Sequence, residues 1–417
     1  MWKYMNKCKW LIFLFFSCEV FTNDLDILSF AGFASQGITY TSDNQFFDEK
    51  DKISLNMTTL GLQANYLFND QIRLSAQAMY RNWGKIDSTR FDFFMADYQF
   101  INQPYFNLGI RMGRIKSDLA IFNSTRDIPS ARPSIFLPQS VYQDILRDTT
   151  TSYDGLSLYG NQVFKLGRLN WSIAYGRYPV SDDLSESILG KELSGDISTD
   201  SNFQLMTSWE SLQGNWTLSL GYENPKANLS QLNKNNAAIA ISPGNIEFER
   251  YIFSHQYFTE FWDLTFEYMY QHTTISGFHT TISGFQLFTP SLPEGFPQTE
   301  IENVSTDNLV NVGFYGQWRY LLTENLTFFF RYGRYFTDID DKDGSNFQQE
   351  SGMPSFSRYS HDLSSGIKWK ILPKWQINFE GHFIEGTAAI SPTIKLDHSA
   401  NDEKNWQLWS LQVSYSF

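Results

Sequence analysis

Thiols are almost missing from this 417-residue chain: its two cysteines, Cys8 and Cys18, both lie within the first twenty residues. If that segment is removed, neither a disulfide framework nor a cysteine-ligated metal is available to the remainder. Long apolar runs are missing too. No stretch approaches the ~18 to 20 consecutive apolar residues of a membrane-spanning helix, and the mean hydropathy of −0.35 agrees. There is no excess of basic residues. The formal charge is −13, which argues against a nucleic-acid partner, because neutralising phosphates calls for a basic patch. No Gly-rich phosphate loop, nucleophile elbow or His-centred catalytic set occurs, so no enzyme is expected. The six histidines, His255, His272, His279, His361, His382 and His398, show no metal-ligand spacing.

What is abundant is aromatic. Phe, Tyr and Trp make up 17% of the chain, against a hydrophobic content of 42% and a charged content of 18%. That is enough apolar content to fold. Aromatic-rich, polar on average and poor in long apolar runs describes a β-protein that meets lipid on one face only. At the N-terminus, Lys3, Lys7 and Lys9 precede a short apolar core, Trp10 to Phe16. This is too short to span a bilayer and reads as an export signal over residues 1–22. Cleavage falls between Ser17 and Asn23, leaving 23–417 as the body of the protein. Phe15-Phe16-Ser17-Cys18 is only a faint lipoprotein box, with Phe15 where Leu is expected.

The body is a succession of segments in which apolar and polar positions alternate. Ile72, Leu74, Ala76, Ala78 and Tyr80 share one face, and Arg73, Ser75, Gln77 and Arg81 the other. Leu264, Phe266, Tyr268 and Tyr270 oppose Thr265, Glu267 and Gln271; Val312, Phe314, Trp318 and Tyr320 oppose Asn311, Gln317 and Arg319. Period two is the strand signal. Sixteen such segments are predicted, at 28–42, 52–67, 72–83, 91–101, 106–115, 154–164, 169–178, 201–210, 216–223, 246–258, 264–272, 309–321, 326–337, 359–369, 375–385 and 405–417. Each is near the ~9 to 11 residues that a tilted transmembrane strand needs. Tight links at 69–71, 102–104, 165–167, 211–214, 259–261, 323–325 and 372–374 interleave with long polar links. The long ones run over 43–51, 84–90, 116–153, 179–200, 224–245, 273–308, 338–358 and 386–404. The predicted fold is therefore all-β, a transmembrane antiparallel β-barrel of about sixteen strands with both termini on the short-turn side. A soluble two-sheet sandwich would have to bury the aromatic faces, and it leaves the short–long alternation without a reason.

The last strand sets Trp409, Leu411, Val413, Tyr415 and Phe417 against Ser410, Gln412, Ser414 and Ser416, and ends on Phe417. It resembles the C-terminal signature of Gram-negative outer-membrane proteins, which the barrel-insertion machinery recognises; Tyr415 and Phe417 would carry that signal. A second resemblance covers Gly113 to Tyr142. Its Gly113-Arg-Ile-Lys116, Thr125-Arg-Asp127, Arg132-Pro-Ser134 and Leu137-Pro-Gln-Ser140 series is similar to the stretch after strand five in a poorly characterised branch of bacterial porins. The motif is specific for the branch, not for a substrate. The resemblance implies an outer-membrane location with periplasmic termini, and contact with lipid and lipopolysaccharide. It also implies a homotrimer and passive movement of small hydrophilic solutes through an aqueous lumen. The third long connection, about 116–153, is then expected to fold inward and narrow a barrel too wide for side chains to fill.

That connection carries Lys116, Arg126, Arg132 and Arg147 beside Asp118, Asp127, Asp144 and Asp148, and Pro129, Pro133 and Pro138 stiffen it. Opposed charges across a constriction set up a transverse field. The same charges paired with one another would pin the loop, and both readings stay open. By parity Arg73, Arg81, Arg111, Arg319, Arg331 and Lys368 fall on polar faces, against Asp97, Glu267, Asp362 and Glu380. The predicted pore lining is thus mildly basic in an acidic chain, and a weak anion preference is expected. Two other functions fit the same residues. One is a substrate-specific channel with an arginine track for anionic or carboxylate solutes. The other is a surface receptor or adhesin that holds a partner with loops around 179–200, 224–245 and 273–308.

Three ascending strands end in a repeated dipeptide: Gly113-Arg114, Gly176-Arg177 and Gly333-Arg334. Parity points these arginines outward near the outer rim, unless a bulge at the glycine turns them inward. Asp341, Asp343, Gly344 and Glu350 match four positions of a calcium loop, but Ile339 stands at the first. A solvated acidic loop is expected there, with no cofactor and at most loosely bound calcium. His272 to Phe278 repeats at once as His279 to Phe285. Seven is odd, so a continuous strand would turn the second copy to the opposite face, and a hairpin or loop is expected instead.

Overall fold

The computed structural model describes residues 27–46, 48–84, 86–144, 147–180, 193–194, 197–229, 232–234, 240–241, 244–276, 307–390 and 402–417. The leader expected at 1–22 lies outside the described residues. Alternation of apolar and polar side chains yields sixteen long strands. They are β1 (Leu28–Thr41), β2 (Thr58–Leu67), β3 (Ile72–Trp83), β4 (Ile86–Gln103), β5 (Phe106–Lys116), β6 (Ser152–Val163), β7 (Gly167–Arg177) and β8 (Ser201–Ser211). The second half comprises β9 (Trp216–Glu223), β10 (Gly244–Phe258), β11 (Trp262–Ser276), β12 (Asp307–Thr323), β13 (Leu326–Phe336), β14 (Tyr359–Leu372), β15 (Trp375–Glu385) and β16 (Asn405–Ser416).

Each strand pairs antiparallel with the next, and β16 pairs with β1 from Phe33↔Ser416 to Thr41↔Leu408. The sheet is a closed ring, so a two-sheet sandwich is excluded. Just past the last strand, the Phe417 N–H donates to the Gly32 carbonyl (3.0 Å) and the Gly32 N–H returns the bond to Phe417 (3.1 Å). The Phe417 ring lies over Gly32, where an added Cβ would sit 2.4 Å from it.

The two faces of the wall are opposite in character. On β11, Asp263, Thr265, Glu267, Gln271 and Thr273 are buried while Leu264, Phe266, Tyr268 and Tyr270 are exposed. On β16, Ser410, Gln412 and Ser414 are buried while Leu411 and Val413 are exposed. This inverts the rule for a soluble protein, whose large apolar side chains go inside. The apolar face points out of the cylinder and the polar face into it.

Three connections differ from expectation. The link expected over 84–90 is a tight turn, because Gly84 takes φ +67° and lets β4 begin at Ile86. β4 then absorbs one extra residue, Asp92, at a register shift against Gln77 and Ala78. Within the loops expected at 179–200 and 224–245, Ile197–Thr199 pairs with Lys226–Leu229, which in turn pairs with the start of β10. These pieces lengthen the wall beyond the main ring. The first copy of the heptapeptide repeat continues β11 as far as Ser276, which pairs with Asn245; its second copy lies outside the described residues.

Removing Phe417 deletes two backbone hydrogen bonds and the ring over Gly32 at the closing seam. The expected loss is about 1–3 kcal/mol of barrel stability, read as a lower urea midpoint of the protein refolded in detergent. An unchanged midpoint would show that the seam holds without its last residue.

Candidate functional site

Between β5 and β6, residues 117–151 leave the wall, and their partners lie on strands far around the ring. Glu267 on β11 accepts the Ile121 N–H (3.2 Å), the Tyr142 hydroxyl (2.6 Å), the Tyr315 hydroxyl of β12 (2.6 Å) and the Ser254 hydroxyl of β10 (2.7 Å). Glu380 on β15 accepts the N–H groups of Ile135 (2.6 Å) and Phe136 (2.8 Å). Lys368 on β14 donates to the carbonyls of Ser130 (2.7 Å) and Arg132 (2.9 Å), and Arg331 on β13 to Ser134 Oγ (2.8 Å). The segment thus has much of its irregular backbone satisfied by acidic and basic side chains of the wall. His382 reinforces one anchor: its ring nitrogens lie 3.0 Å from Asp362 and 3.0 Å from Glu380.

Shape complements charge. An added Cβ on Gly313 of β12 would sit 1.8 Å from the Ser140 carbonyl, and one on Gly221 of β9 would sit 2.4 Å from that of Leu119. Glycine alone lets the segment's backbone come so close. The wall also offers apolar side chains where its parity calls for polar ones. Ile252, Met269 and Tyr315 pack with Leu119, Val141 and Tyr142. Met57, Trp83, Ile384, Trp406 and Leu408 pack with Ile135 and Phe136.

Near β3 to β5 the segment carries its own ionic knot. Asp127 accepts from Lys116 (2.5 Å) and from Arg147 (2.6 and 2.8 Å), while Asp144 accepts from Arg126 (3.0 Å) and Gln139 (2.8 Å). Lys116 also reaches Asp92 (2.5 Å), and Arg90 lies 3.7 Å from Asp92. The Trp83 ring supports Arg147, Arg132 and Arg81 at 5.2, 5.6 and 5.9 Å. Burial by itself would raise Asp127, but Lys116, Arg147 and Arg90 hold it well below the usual carboxylate range. Asp144 is likewise brought down against burial by Arg126 and Arg147. Burial pulls Arg126 to about 10 and Arg132 to about 9, so both stay cationic at neutral pH. Six cations, Arg81, Arg90, Lys116, Arg126, Arg132 and Arg147, therefore surround three described carboxylates, Asp92, Asp127 and Asp144. The side chain of Asp148 lies outside the described residues.

The residues expected to line a pore fall into two groups. Arg81, Glu267, Arg331 and Glu380 are fully buried, and the last three anchor the segment. Towards the short-turn side Arg73 is exposed, and it stands across from Asp97. Arg111 bonds Asp97 (3.2 Å), stacks on Tyr159 (4.2 Å) and lies 3.7 Å from Asp118. Arg319 bonds Asp263 (2.8 Å). Sequence reasoning passed over Trp83, Arg90, Asp92, Tyr142, Asp263 and Tyr315. It also missed a buried trio in which Arg250 donates to Glu223 (2.8 Å) and Tyr178 donates to the same carboxylate. The signal for some of these was present: apolar side chains such as Met269 and Ile384 interrupting a polar face mark where that face is covered. Tyr415 faces outward, its ring 4.9 Å from Trp375. Among the Gly-Arg pairs, register runs unbroken through Gly113, and Arg114 points outward to make a two-pronged bond with Asp154 (both 2.7 Å). Asp341 accepts the N–H groups of Asn346 (3.1 Å) and Phe347 (2.9 Å), capping the short helix Ser345–Ser351.

No family model and no curated protein matches this chain. Among solved structures, outer-membrane expressed OmpT of Vibrio cholerae superposes with a TM-score of 0.57 at 10% identity, over 96% of this chain and all of that one. The outer membrane channel DcaP of Acinetobacter baumannii gives 0.53 at 12% identity, over 94% and 97%. An anion-selective porin from Comamonas acidovorans gives 0.54 at 11% identity, over 94% and 99%. The fold is that of a porin barrel. At such identities the likeness concerns the fold alone.

The ionic knot makes stability depend on acid. Asp127 and Asp144 have depressed folded pKa values, so their contribution is complete above the unfolded value of about 4 and is lost as pH falls through the folded values. Thermal melting points should stay level from neutral pH down to about 4 and then drop. Asp127→Asn should cost about 3–5 kcal/mol at neutral pH by leaving Lys116 and Arg147 short of their shared partner, and should flatten the acid limb. A variant that melts like the parent at both pH values would remove the knot from the account.

Proposed function

We propose that this protein is an outer-membrane porin, a passive aqueous channel for small hydrophilic solutes. In this reading residues 117–151 lie inside the barrel as its constriction, and the channel has a mild preference for anions. One observation carries it: the segment is bonded to polar-face side chains far around a closed ring, its flanks at Ile121 and Tyr142 to Glu267 and its middle at Ile135 and Phe136 to Glu380. Barrel interiors of this size hold water unless something fills them, and a rigid segment anchored at several points sets the remaining width. No catalytic step and no cofactor is called for.

The exposed apolar face supports a bilayer setting. Phe30, Phe91, Phe94, Phe253, Trp318, Phe330 and Phe383 are each more than a third exposed, and hydrocarbon is the solvent that makes this favourable. With the short turns in the periplasm, both termini lie there, the long loops meet the lipopolysaccharide side, and Tyr415 and Phe417 form the assembly signal. A homotrimer is the assembly we favour, since OmpT, which has the same fold, has been solved in a trimer form. The anion preference rests on six cations around three described carboxylates. Asp127 and Asp144 are bound to their cations, so the local excess is positive although the whole chain is acidic.

Single-channel recording in planar bilayers tests this directly. Ohmic steps are expected, with a reversal potential on the anion side in a potassium chloride gradient. Cation selectivity would remove the preference, and absence of any step would remove the channel. Glu380→Ala frees the N–H groups of Ile135 and Phe136 and should loosen the segment, giving larger or noisier steps than the parent. Steps identical to the parent would mean that Glu380 does not hold the constriction.

A further inference from the structure

At the loop end of β13 to β16, the register lays two rows of outward side chains across four adjacent strands. The upper row is Arg334, His361, Glu385 and Asn405; the lower is Tyr332, Leu363, Phe383 and Gln407. Together with Ser42 and Asp43 they border a groove of about 480 Å³ on the outside of the wall. Below Leu363 the outward line of β14 continues through Ser365 and Ile367. Phe330 and Phe328 flank it on β13, and Gly381 and Phe379 on β15. The groove is therefore polar at the rim and apolar below, with a track along β14 between two aromatic walls.

The rim charges are unequally engaged. Glu385 is held by Lys404 (2.8 Å) and lies 3.6 Å from His361. The His361 ring sits against Phe336 and Tyr359, and its Nε2 is buried without a hydrogen-bond partner. Arg334 donates through Nε to the Tyr332 hydroxyl (2.5 Å) and makes no ion pair among the described residues. Asp43 belongs to the far side of the groove, just past β1 and beyond β16, about four strand spacings or ~19 Å away. Arg334 thus presents an uncompensated planar cation at the top of an apolar track. A guanidinium fixed through Nε leaves a fork suited to a phosphate.

We infer that this groove binds a membrane lipid by its phosphate, with Arg334 as the phosphate ligand and an acyl chain lying along Leu363 and Ile367. The inference rests on the membrane reading above. The repeated Gly-Arg dipeptide does not suffice by itself: Arg114 is paired with Asp154, and Arg177 stands across from that same carboxylate. Only the third copy combines a free cation with a groove.

The test uses the full chain, purified in mild detergent and titrated by native mass spectrometry with lipid A, with phosphatidylglycerol and with inorganic phosphate. One saturable site for either lipid is expected, weakened about tenfold or more in Arg334→Gln. Leu363→Asn should weaken it as well, while Arg177→Gln should leave it as in the parent. Lipid binding untouched by Arg334→Gln, an equal loss in Arg177→Gln, or inorganic phosphate bound as tightly as either lipid would overturn the inference. Conductance separates the two readings. If the parent conducts and lipid binding ignores Arg334, only the lipid site fails; if the parent does not conduct, the membrane reading fails first.

Discussion

Everything in this molecule depends on the pairing of its last strand with its first. Once Phe33 to Thr41 bonds to Leu408 to Ser416, every strand of the wall has two neighbours and the sheet has no edge. A ring has an inside and an outside, which a flat sheet of the same sequence lacks. The period-two pattern then acquires meaning: one set of side chains looks into a confined space and the other looks away from the protein. The Phe417–Gly32 exchange extends that seam to the end of the chain.

The second organising feature is the use of carboxylates as anchors rather than as open lining. Glu267 and Glu380 are wholly buried, and from the segment between β5 and β6 they bind neutral groups, the N–H groups of Ile121, Ile135 and Phe136 and the Tyr142 hydroxyl. Each of these acids gathers several donors, and removing it would strand them. The segment's own acids are held differently, by lysine and arginine. Together these two arrangements fix a long irregular stretch that has no ladder of its own. They also concentrate cations around Trp83, where three arginines share one indole.

Much of the wall was legible before any coordinates. The limits read for β3, β9 and β15 coincide with the observed strands; β2, read from 52, begins only at Thr58, β4, read from 91, begins already at Ile86, and the others differ by a few residues at the ends. Alternation is a local property, so the pattern and its faces survive into the structure unchanged. Where the reading failed, the cause was also local but conformational. Gly84 at positive φ makes a two-residue turn out of what looked like a polar loop, and the extra residue Asp92 hides the alternation at the start of β4. The extensions at Ile197–Thr199 and Lys226–Leu229 carry no strong alternation and form only because their partners are near.

The candidate site was half legible. Parity alone assigned Arg81, Glu267, Arg331, Lys368 and Glu380 to the polar face, because a side chain two residues along a strand must return to the same side. Which of them meets water and which meets protein is a different question. Ile135 and Glu380 are 245 positions apart, and Tyr142 and Glu267 are 125. No spacing rule links such residues; they meet because the ring closes and brings the segment against strands far along the chain. The amino-acid order therefore determined strands, faces and turns, which are set by contacts between neighbours. The tertiary structure decided the anchors, the ionic knot and the outer groove, since each is assembled from strands that only the closed sheet brings together.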